Sequence, residues 1–224
     1  MIPWIELDRA SLPRGGELRL MRRGNEFSIK LGVAELMTSR LFGSEEALAT
    51  LAASRLSDRP KPRVLIGGLG MGFTLRAALG AFGAEGRIVV AELVPAVVRW
   101  ARGPMAELFG GCLDDARVDL VEADVAMLIR AAKPPYDAIL LDVDNGPEGM
   151  TQSANDQLYS PRGLAAARAA LSPDGVLAVW SQGPDRAFAA RFEKAGFSVE
   201  DVRVRARGAR GGSRHVIWLG SPKA

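Results

Sequence analysis

The sequence of 224 residues contains only one histidine, His215, and one cysteine, Cys112. A single cysteine permits no intramolecular disulfide, as is usual for proteins of the reducing cytoplasm, where we expect this one. The lone histidine excludes histidine-based metal clusters and most Ser-His-Asp arrangements, so no metal site is expected. The sequence also lacks a secretory leader and any apolar run of about 18 residues, and it predicts no association with a membrane.

A large excess of charge of either sign is also missing. The sequence has 29 basic and 26 acidic residues, a formal net charge of +3. Arginines concentrate in the last third, where Arg203, Arg205 and Arg207 alternate along a predicted strand. Such alternation places the side chains on one face, which is most often a solvated sheet edge. The modest total charge and the lack of interleaved aromatic residues argue against a nucleic-acid partner.

Glycine, in contrast, is concentrated in residues 63–76, RVLIGGLGMGFTLR. The apolar run Val64–Ile66 is typical of a strand buried on both faces of a parallel sheet, and a helical pattern begins at Phe73. Glycines between them remove the Cβ atoms that would keep the backbone from a ligand, beside an electropositive helix N-terminus. The pattern predicts a cofactor-binding loop that contains Gly67, Gly68, Gly70 and Gly72.

This loop differs from two common nucleotide-binding motifs. The dinucleotide fingerprint requires a small residue where Phe73 stands, and the lysine and hydroxyl of a P-loop are missing. The loop instead matches Gly-x-Gly-x-Gly, with an acid, Glu92, at the end of the next predicted strand. A carboxylate at that place can accept hydrogen bonds from both ribose hydroxyls. A tight turn without a ligand is the alternative interpretation.

From Arg63 onward, strand and helix patterns alternate, which predicts a parallel sheet covered by helices on both faces. The expected strands are 63–67, 87–92, 117–121, 136–142 and 175–181, followed by a hairpin of 197–205 and 213–219. The expected helices are 45–56, capped by Ser44, and 73–83, 95–108, 124–132, 161–171 and 186–195. This is the Rossmann-like, seven-stranded α/β layout of class I S-adenosylmethionine-dependent transferases. Residues 1–43 predict a small N-terminal β-hairpin unit, and residues 44–224 the catalytic domain.

In such a sheet the ligand binds outside the carboxyl ends of the strands. Asp124 follows the third strand, where it can accept a hydrogen bond from an adenine amino group, cap the next helix, or do both. The fourth strand is followed by three carboxylates, Asp142, Asp144 and Glu148. Their mutual repulsion is relieved by a cation, so they favour a ligand with an amine or a sulfonium. Solvated loop carboxylates are the alternative.

The sequence resembles the spermidine synthase family over nearly its whole length. The resemblance rests on these segments, in the family's order: 63–76, Glu92, 122–124, 136–142, 158–160 and 171–177. It implies that Glu92 binds the ribose and Asp124 the adenine. It also implies that Asp142 contacts the donor and orients or deprotonates the attacking amine. A homodimer is a further implication of the resemblance.

Two departures from the family affect the expected reaction. The family's glycine loop contains an aspartate that holds the ammonium group of decarboxylated S-adenosylmethionine, whereas this loop has no acid. Asn145 stands where the family usually has an aspartate that helps to bind the polyamine, with Asp144 beside it. Complete S-adenosylmethionine carries a carboxylate, which backbone N–H groups would bind and an aspartate would repel. We therefore expect S-adenosylmethionine as the cofactor and methylation of a small, amine-bearing, cationic acceptor.

Asp142 and Asp144 are the predicted catalytic residues. The predicted acceptor-binding residues are Asp144, Asn145, Glu148, Tyr159 and Gln182. Two alternatives stay open. One is an aminopropyltransferase that uses decarboxylated S-adenosylmethionine, and the other is a non-catalytic donor-binding or nucleic-acid-associated module.

Overall fold

The computed structural model describes residues 2–12, 15–143, 157–208 and 211–223. Its first part is an antiparallel sheet in the order β1-β2-β3-β4. The strands are β1 (Ile5–Ser11), β2 (Glu17–Arg23), β3 (Glu26–Leu31) and β4 (Ala34–Thr38). The expected N-terminal β unit is thus confirmed, but β1 was not predicted. Nearly all of β1 is exposed, so it lacks the alternation of buried and exposed residues that indicates a strand.

The second sheet has seven strands in the order β10-β11-β9-β8-β5-β6-β7. Its strands are β5 (Arg63–Gly67), β6 (Arg87–Glu92), β7 (Val118–Glu122), β8 (Tyr136–Leu141), β9 (Leu171–Ser181), β10 (Phe197–Arg205) and β11 (Arg214–Pro222). Strands β5 to β9 are parallel, and β11 pairs antiparallel with both β9 and β10. This confirms the predicted fold class with its C-terminal hairpin. The chain order reverses between β5 and β8, and there the carboxyl ends leave a crevice for ligands.

Helices cover both faces of this sheet. They are α1 (Gly43–Ser54), α2 (Phe73–Ala81), α3 (Pro95–Arg102), α4 (Ala106–Phe109), α5 (Val125–Arg130), α6 (Pro161–Ala170) and α7 (Arg186–Lys194), with a short 3₁₀ helix at Cys112–Asp114. The prediction of one helix over 95–108 was wrong, because Gly103 ends α3 and Pro104 has no N–H to continue it. Ser44 does not cap α1, since it lies inside the first turn and its hydroxyl donates to Glu45.

The two faces of the seven-stranded sheet bury separate apolar clusters. Val64 and Ile66 belong to one cluster and Leu65 to the other, as expected for alternating side chains of a strand. The first cluster also includes Leu20 and Ile29, which are fully buried residues of the N-terminal sheet. The two sheets therefore share one hydrophobic core. In the described part of the chain, no helix is both long and apolar enough to span a membrane.

Candidate active site

The loop after β5 wraps closely against the ends of β6 and β8. Gly68 has φ +90°, and its N–H donates to the carbonyl of Ala91 at 2.9 Å. A Cβ at Gly68 would lie 2.6 Å from the carbonyl oxygen of Asp142, so no other residue fits without movement of the backbone. Gly70 also has a positive φ of +51°. Both glycines line a cavity at the end of the sheet.

The other two predicted loop glycines are required by packing. A Cβ at Gly67 would lie 3.0 Å from Cγ2 of Val125, and one at Gly72 would lie 2.5 Å from Cε1 of Phe109. Neither residue is among the described residues that line the cavity. The loop therefore combines two glycines that adjoin the cavity with two that let α5 and α4 pack closely against it.

Glu92 ends β6 and is buried, with 7% of its surface exposed. Its Oε2 accepts a hydrogen bond from the N–H of Leu69 at 2.9 Å, and its Oε1 accepts one from Val94 at 2.8 Å. Burial raises the pKa of this carboxyl group, and the backbone N–H groups around it partly offset the increase. Each carboxylate oxygen has a second lone pair, so Glu92 can still accept hydrogen bonds from a ligand.

Asp124 caps α5, since its Oδ1 accepts a hydrogen bond from the N–H of Ala126 at 2.8 Å. It also lines the same cavity as Glu92, so both functions proposed for it are geometrically available. Apolar side chains of the N-terminal sheet, including Leu18 and Ile29, line this cavity as well. We call it the donor cavity. Its polar lining consists of Gly68, Gly70, Glu92, Asp124 and Asp142.

Asp142 directly follows β8, and its backbone N–H donates to the carbonyl of Gly67 at 3.0 Å. Its Oδ2 accepts a hydrogen bond from the hydroxyl of Thr74 at 2.7 Å. Burial raises the pKa of the Asp142 carboxyl to about 6, although the Thr74 hydrogen bond opposes the shift. Asp142 lines the donor cavity and also a second cavity, which we call the acceptor cavity. It therefore lies where the two cavities meet.

The acceptor cavity has a volume of about 470 Å³, within the usual range of small-molecule sites. Gln182 lines it, at the position predicted after the fifth parallel strand. The cavity also contains residues that were not predicted: Glu35, Thr38, Glu45, Thr74, Trp180 and His215. They come from the N-terminal sheet, α1, α2, β9 and β11, so local sequence patterns contain no signal that unites them.

Glu45 is the most consequential of these unpredicted residues. It is partly buried in the first turn of α1, and its Oε2 accepts a hydrogen bond from the Ser44 hydroxyl at 2.6 Å. Burial and, secondly, the charge of Asp142 raise the pKa of Glu45 to about 7. In the sequence, an acid at this place is explained fully by the helix dipole, which conceals its position in the cavity.

Other predicted site residues lie elsewhere. Tyr159 is 2% exposed and packs edge-on against Phe188, with ring centroids 5.8 Å apart. It is absent from the described lining of both cavities. The prediction that it lines the acceptor pocket is therefore corrected: Tyr159 belongs to the hydrophobic core. Asp144, Asn145 and Glu148 lie outside the described residues.

Comparison with known proteins identifies relatives of this chain. The sequence model of the family described as "Spermine/spermidine synthase domain" matches residues 41–187. The polyamine aminopropyltransferase 1 of Streptomyces coelicolor is 33% identical over 153 residues, which cover 65% of this chain and 28% of that protein. The polyamine aminopropyltransferase of Mycobacterium tuberculosis is 32% identical over 172 residues, which cover 75% of this chain and 31% of that protein. The chain thus spans about a third of the length of these relatives.

Solved structures give the same fold. The spermidine synthase from Thermotoga maritima superposes with a TM-score of 0.77 at 22% identity, over 98% of this chain and 73% of that chain. A spermidine synthase in complex with the transition state analogue AdoDATO superposes with a TM-score of 0.76 at 21% identity, over 98% and 72% of the two chains. These structural similarities confirm the fold, and the family model that matches residues 41–187 shows that the chain belongs to the spermine/spermidine synthase domain family.

The preference for a methyltransferase was wrong, because the relatives that cover most of this chain are named aminopropyltransferases. The preference depended on the lack of an acid in the glycine loop and on Asn145, which lies outside the described residues. The structure shows that this was too local an argument, since the cavity beside the loop contains the carboxyl groups of Glu45 and Asp142. An acid that adjoins the loop in space does not have to be part of it in sequence.

Proposed function

Because the chain belongs to the spermine/spermidine synthase domain family, we propose that it transfers an aminopropyl group from decarboxylated S-adenosylmethionine to a small cationic amine. The relatives named polyamine aminopropyltransferase support the reaction class. The main structural support is that Asp142 lines both the donor cavity and the acceptor cavity. A residue in that position contacts both reactants of a transfer reaction.

The donor cavity has the groups that an adenosyl moiety requires. Glu92 is fixed by two backbone N–H groups and retains lone pairs for the two ribose hydroxyls. Asp124 uses Oδ1 to cap α5, which leaves its other oxygen for the adenine amino group. Gly68 and Gly70 line the cavity without side chains, which leaves room for the donor beside the strand ends.

The transfer is an in-line displacement at the methylene carbon bonded to the sulfonium sulfur. The nitrogen of the acceptor amine forms a bond to this carbon while the carbon–sulfur bond breaks. The electron pair of that bond stays on sulfur, so the second product is 5′-methylthioadenosine. Asp142 orients the amine and accepts its proton, and the raised pKa of this carboxyl group suits it to work as a base near neutral pH.

The acceptor cavity suits a cationic amine. Its carboxylates, Glu35, Glu45 and Asp142, attract a positive charge, and no lysine or arginine is among its described lining residues. Gln182 adds a polar side chain that can orient the amine. The chemistry of the cavity therefore agrees with the polyamine substrates in the names of the relatives.

The proposal is tested by product analysis with the purified chain. Decarboxylated S-adenosylmethionine is incubated with putrescine, cadaverine or spermidine, and mass spectrometry measures 5′-methylthioadenosine and the extended amine. Asp142→Asn should lower turnover by about 100-fold or more and change the affinity for 5′-methylthioadenosine by less than about threefold. No product with any amine, or full turnover by the variant, would overturn the proposal.

We also propose that the enzyme is a cytoplasmic homodimer. The family resemblance supports the dimer, and so do Ile5 and Leu7, which are 53% and 36% exposed on the edge strand β1. The only cysteine is buried, which is compatible with a reducing compartment. Light scattering should give twice the chain mass of 23.9 kDa, and a mass of one chain would contradict the dimer.

A further inference from the structure

A decarboxylated donor ends in an ammonium group, and the glycine loop offers no acid to bind it. We propose that Glu45 binds this ammonium group and thereby selects decarboxylated S-adenosylmethionine over S-adenosylmethionine. This inference rests on the proposed function, because it assigns a residue to the donor of that reaction. It makes α1 part of the donor site, although α1 precedes the glycine loop in the chain.

The two cavities determine the direction of the aminopropyl arm. Met37, Gly70 and Asp142 line both of them, so the adenosyl group in the donor cavity places its sulfonium near this junction. Three carbon atoms separate the sulfur from the ammonium nitrogen, a reach of roughly 4–5 Å with bonds of about 1.5 Å. The arm therefore ends inside the acceptor cavity, which Glu45 lines together with Met71 of the glycine loop.

The position of Glu45 relative to Asp142 is fixed by Thr74. The Thr74 hydroxyl donates to Oδ2 of Asp142 at 2.7 Å and lies 3.5 Å from the backbone carbonyl of Glu45. The carboxyl group of Glu45 is oriented by Ser44, whose Oγ also lies 2.9 Å from Nδ1 of His215. The two carboxylates are thus neighbours with distinct places: Asp142 lies at the junction, and Glu45 lies in the acceptor cavity.

The surroundings of Glu45 point to a bound cation. Within the described part of the chain, Glu45 takes part in no ion pair, and no lysine or arginine lines the acceptor cavity. Thr38 and Trp180 line the same cavity and are 7% and 9% exposed. Their buried Oγ1 and Nε1 atoms have no hydrogen-bond partner among the described residues. The hydroxyl oxygen of Thr38 can accept a hydrogen bond from an ammonium group, whereas Nε1–H of Trp180 can only donate one, so it is Thr38 that supports a bound cation here.

The other acids of the cavity are less suited to this task. Asp142 is required at the junction, where the acceptor nitrogen approaches the reacting carbon. Glu35 is exposed on β4, and its Oε2 accepts a hydrogen bond from Ser28 at 2.7 Å. Complete S-adenosylmethionine would bring its own carboxylate close to Glu45 in a partly buried cavity, and the like charges would repel each other. The same residue thus favours one donor and disfavours the other.

The test compares three adenosyl ligands by calorimetry: decarboxylated S-adenosylmethionine, S-adenosylmethionine and 5′-methylthioadenosine. The wild type should bind the decarboxylated donor more tightly than S-adenosylmethionine. Glu45→Gln keeps the size of the side chain but removes its charge, and it should weaken binding of the decarboxylated donor by about 10–100-fold. Binding of 5′-methylthioadenosine, which has no aminopropyl arm, should change by less than about twofold and shows that the variant is folded. Glu46→Gln, at the next position of α1, is the matched control and should resemble the wild type.

The outcomes separate this inference from the proposed function. If Glu45→Gln binds 5′-methylthioadenosine normally and still prefers the decarboxylated donor to the wild-type extent, the inference is wrong while the proposed function stands. If the variant loses all three ligands equally, Glu45 has a structural role and the inference is also wrong. If the wild type neither binds nor converts the decarboxylated donor, both proposals fail.

Discussion

The carboxyl groups of Glu45 and Asp142 illustrate how a binding site lowers the stability of the protein that contains it. Burial and mutual repulsion raise the pKa of Glu45 to about 7, and burial raises that of Asp142 to about 6. His215, which lines the same cavity, provides no compensating charge at neutral pH, because burial lowers its pKa. On the proposed function a cationic ligand supplies the missing charge, so its binding should stabilise the folded protein.

We predict that the contribution of Glu45 and Asp142 to the free energy of unfolding falls as the pH rises from about 4.5 to about 7. In this window the folded protein retains protons on Glu45 and Asp142 that the unfolded chain has released, because both folded pKa values are raised. One such proton corresponds to about 1.4 kcal/mol of unfolding free energy per pH unit. Glu45→Gln removes one of the two titrations and should give a shallower slope, measured by urea unfolding at several pH values.

The control for this prediction is Glu46→Gln, which should retain the wild-type slope. The charge of Glu46 contributes only weakly to the raised pKa of Glu45, so its removal should change the slope little, and Glu35 on β4 and His215 on β11, which line the same cavity, are unchanged in both variants. Equal slopes for the wild type and Glu45→Gln would show that folded Glu45 does not retain a proton that the unfolded chain has released.

At the scale of single residues, the sequence predicted those site residues that lie directly after the end of a strand. Asp142 directly follows β8, and Asp124 follows β7 after one intervening residue. The parallel sheet therefore places both in one crevice. Glu45 was not predicted, because its place depends on how α1 packs beside α2. That packing is a tertiary event, and the local sequence explains an acid at the start of a helix without it.

At the scale of elements, the connection from β5 to α2 is the most constrained part of the site. Gly68 has φ +90°, and a Cβ there would lie 2.6 Å from the carbonyl oxygen of Asp142. We predict that Gly68→Ala lowers the free energy of unfolding by about 1–3 kcal/mol, because the backbone must move or accept strain. Binding of 5′-methylthioadenosine should weaken as well, since Gly68 lines the donor cavity. Thermal unfolding and calorimetry measure the two effects.

Gly80→Ala is a control for which we expect the opposite effect on the free energy of unfolding. Gly80 is an exposed residue of α2, and a Cβ there would meet no atom within 4 Å. Alanine is the better helix former by about 0.5–1 kcal/mol, so this substitution should stabilise the protein and leave ligand binding unchanged. If both alanine variants had the same stability, the steric argument for Gly68 would be refuted.

The elements that the sequence predicted well are those whose burial leaves a clear pattern. The bounds of β5 and β6 agree with the prediction, because both are short apolar strands between turn residues. Strand β1 was missed because it is an exposed edge strand, and α3 was predicted too long because its apolar pattern continues past Gly103 into α4. Periodicity indicates burial, so it fails where an element is exposed or where two elements share a buried face.

At the scale of the whole molecule, the N-terminal sheet is part of the site and of the core. Leu18 and Ile29 line the donor cavity, and they belong to the apolar cluster that contains Val64 of the central sheet. Trp100 of α3 donates from Nε1 to Oδ2 of Asp8 on β1 at 2.7 Å, which links the N-terminal sheet to a helix that packs against β6. The sequence was sufficient to identify the family. The reaction could not be predicted from it, because the acids of the site come from separate elements that no single motif contains. The domain boundary at residue 43 stays a prediction.

We predict that the two sheets unfold in one cooperative transition, because their shared cluster is lost if either sheet opens. Leu20→Ala, in the fully buried centre of β2, should lower the free energy of unfolding of the whole chain by about 2–5 kcal/mol. Val33→Ala, at a side chain that is 100% exposed, is the control and should have almost no effect. Calorimetry should give one peak for both variants, with equal calorimetric and van't Hoff enthalpies.

Since 5′-methylthioadenosine would contact both sheets, it should raise the temperature of this single peak. A second peak in Leu20→Ala that the ligand does not shift would show that the N-terminal sheet unfolds independently of the donor site.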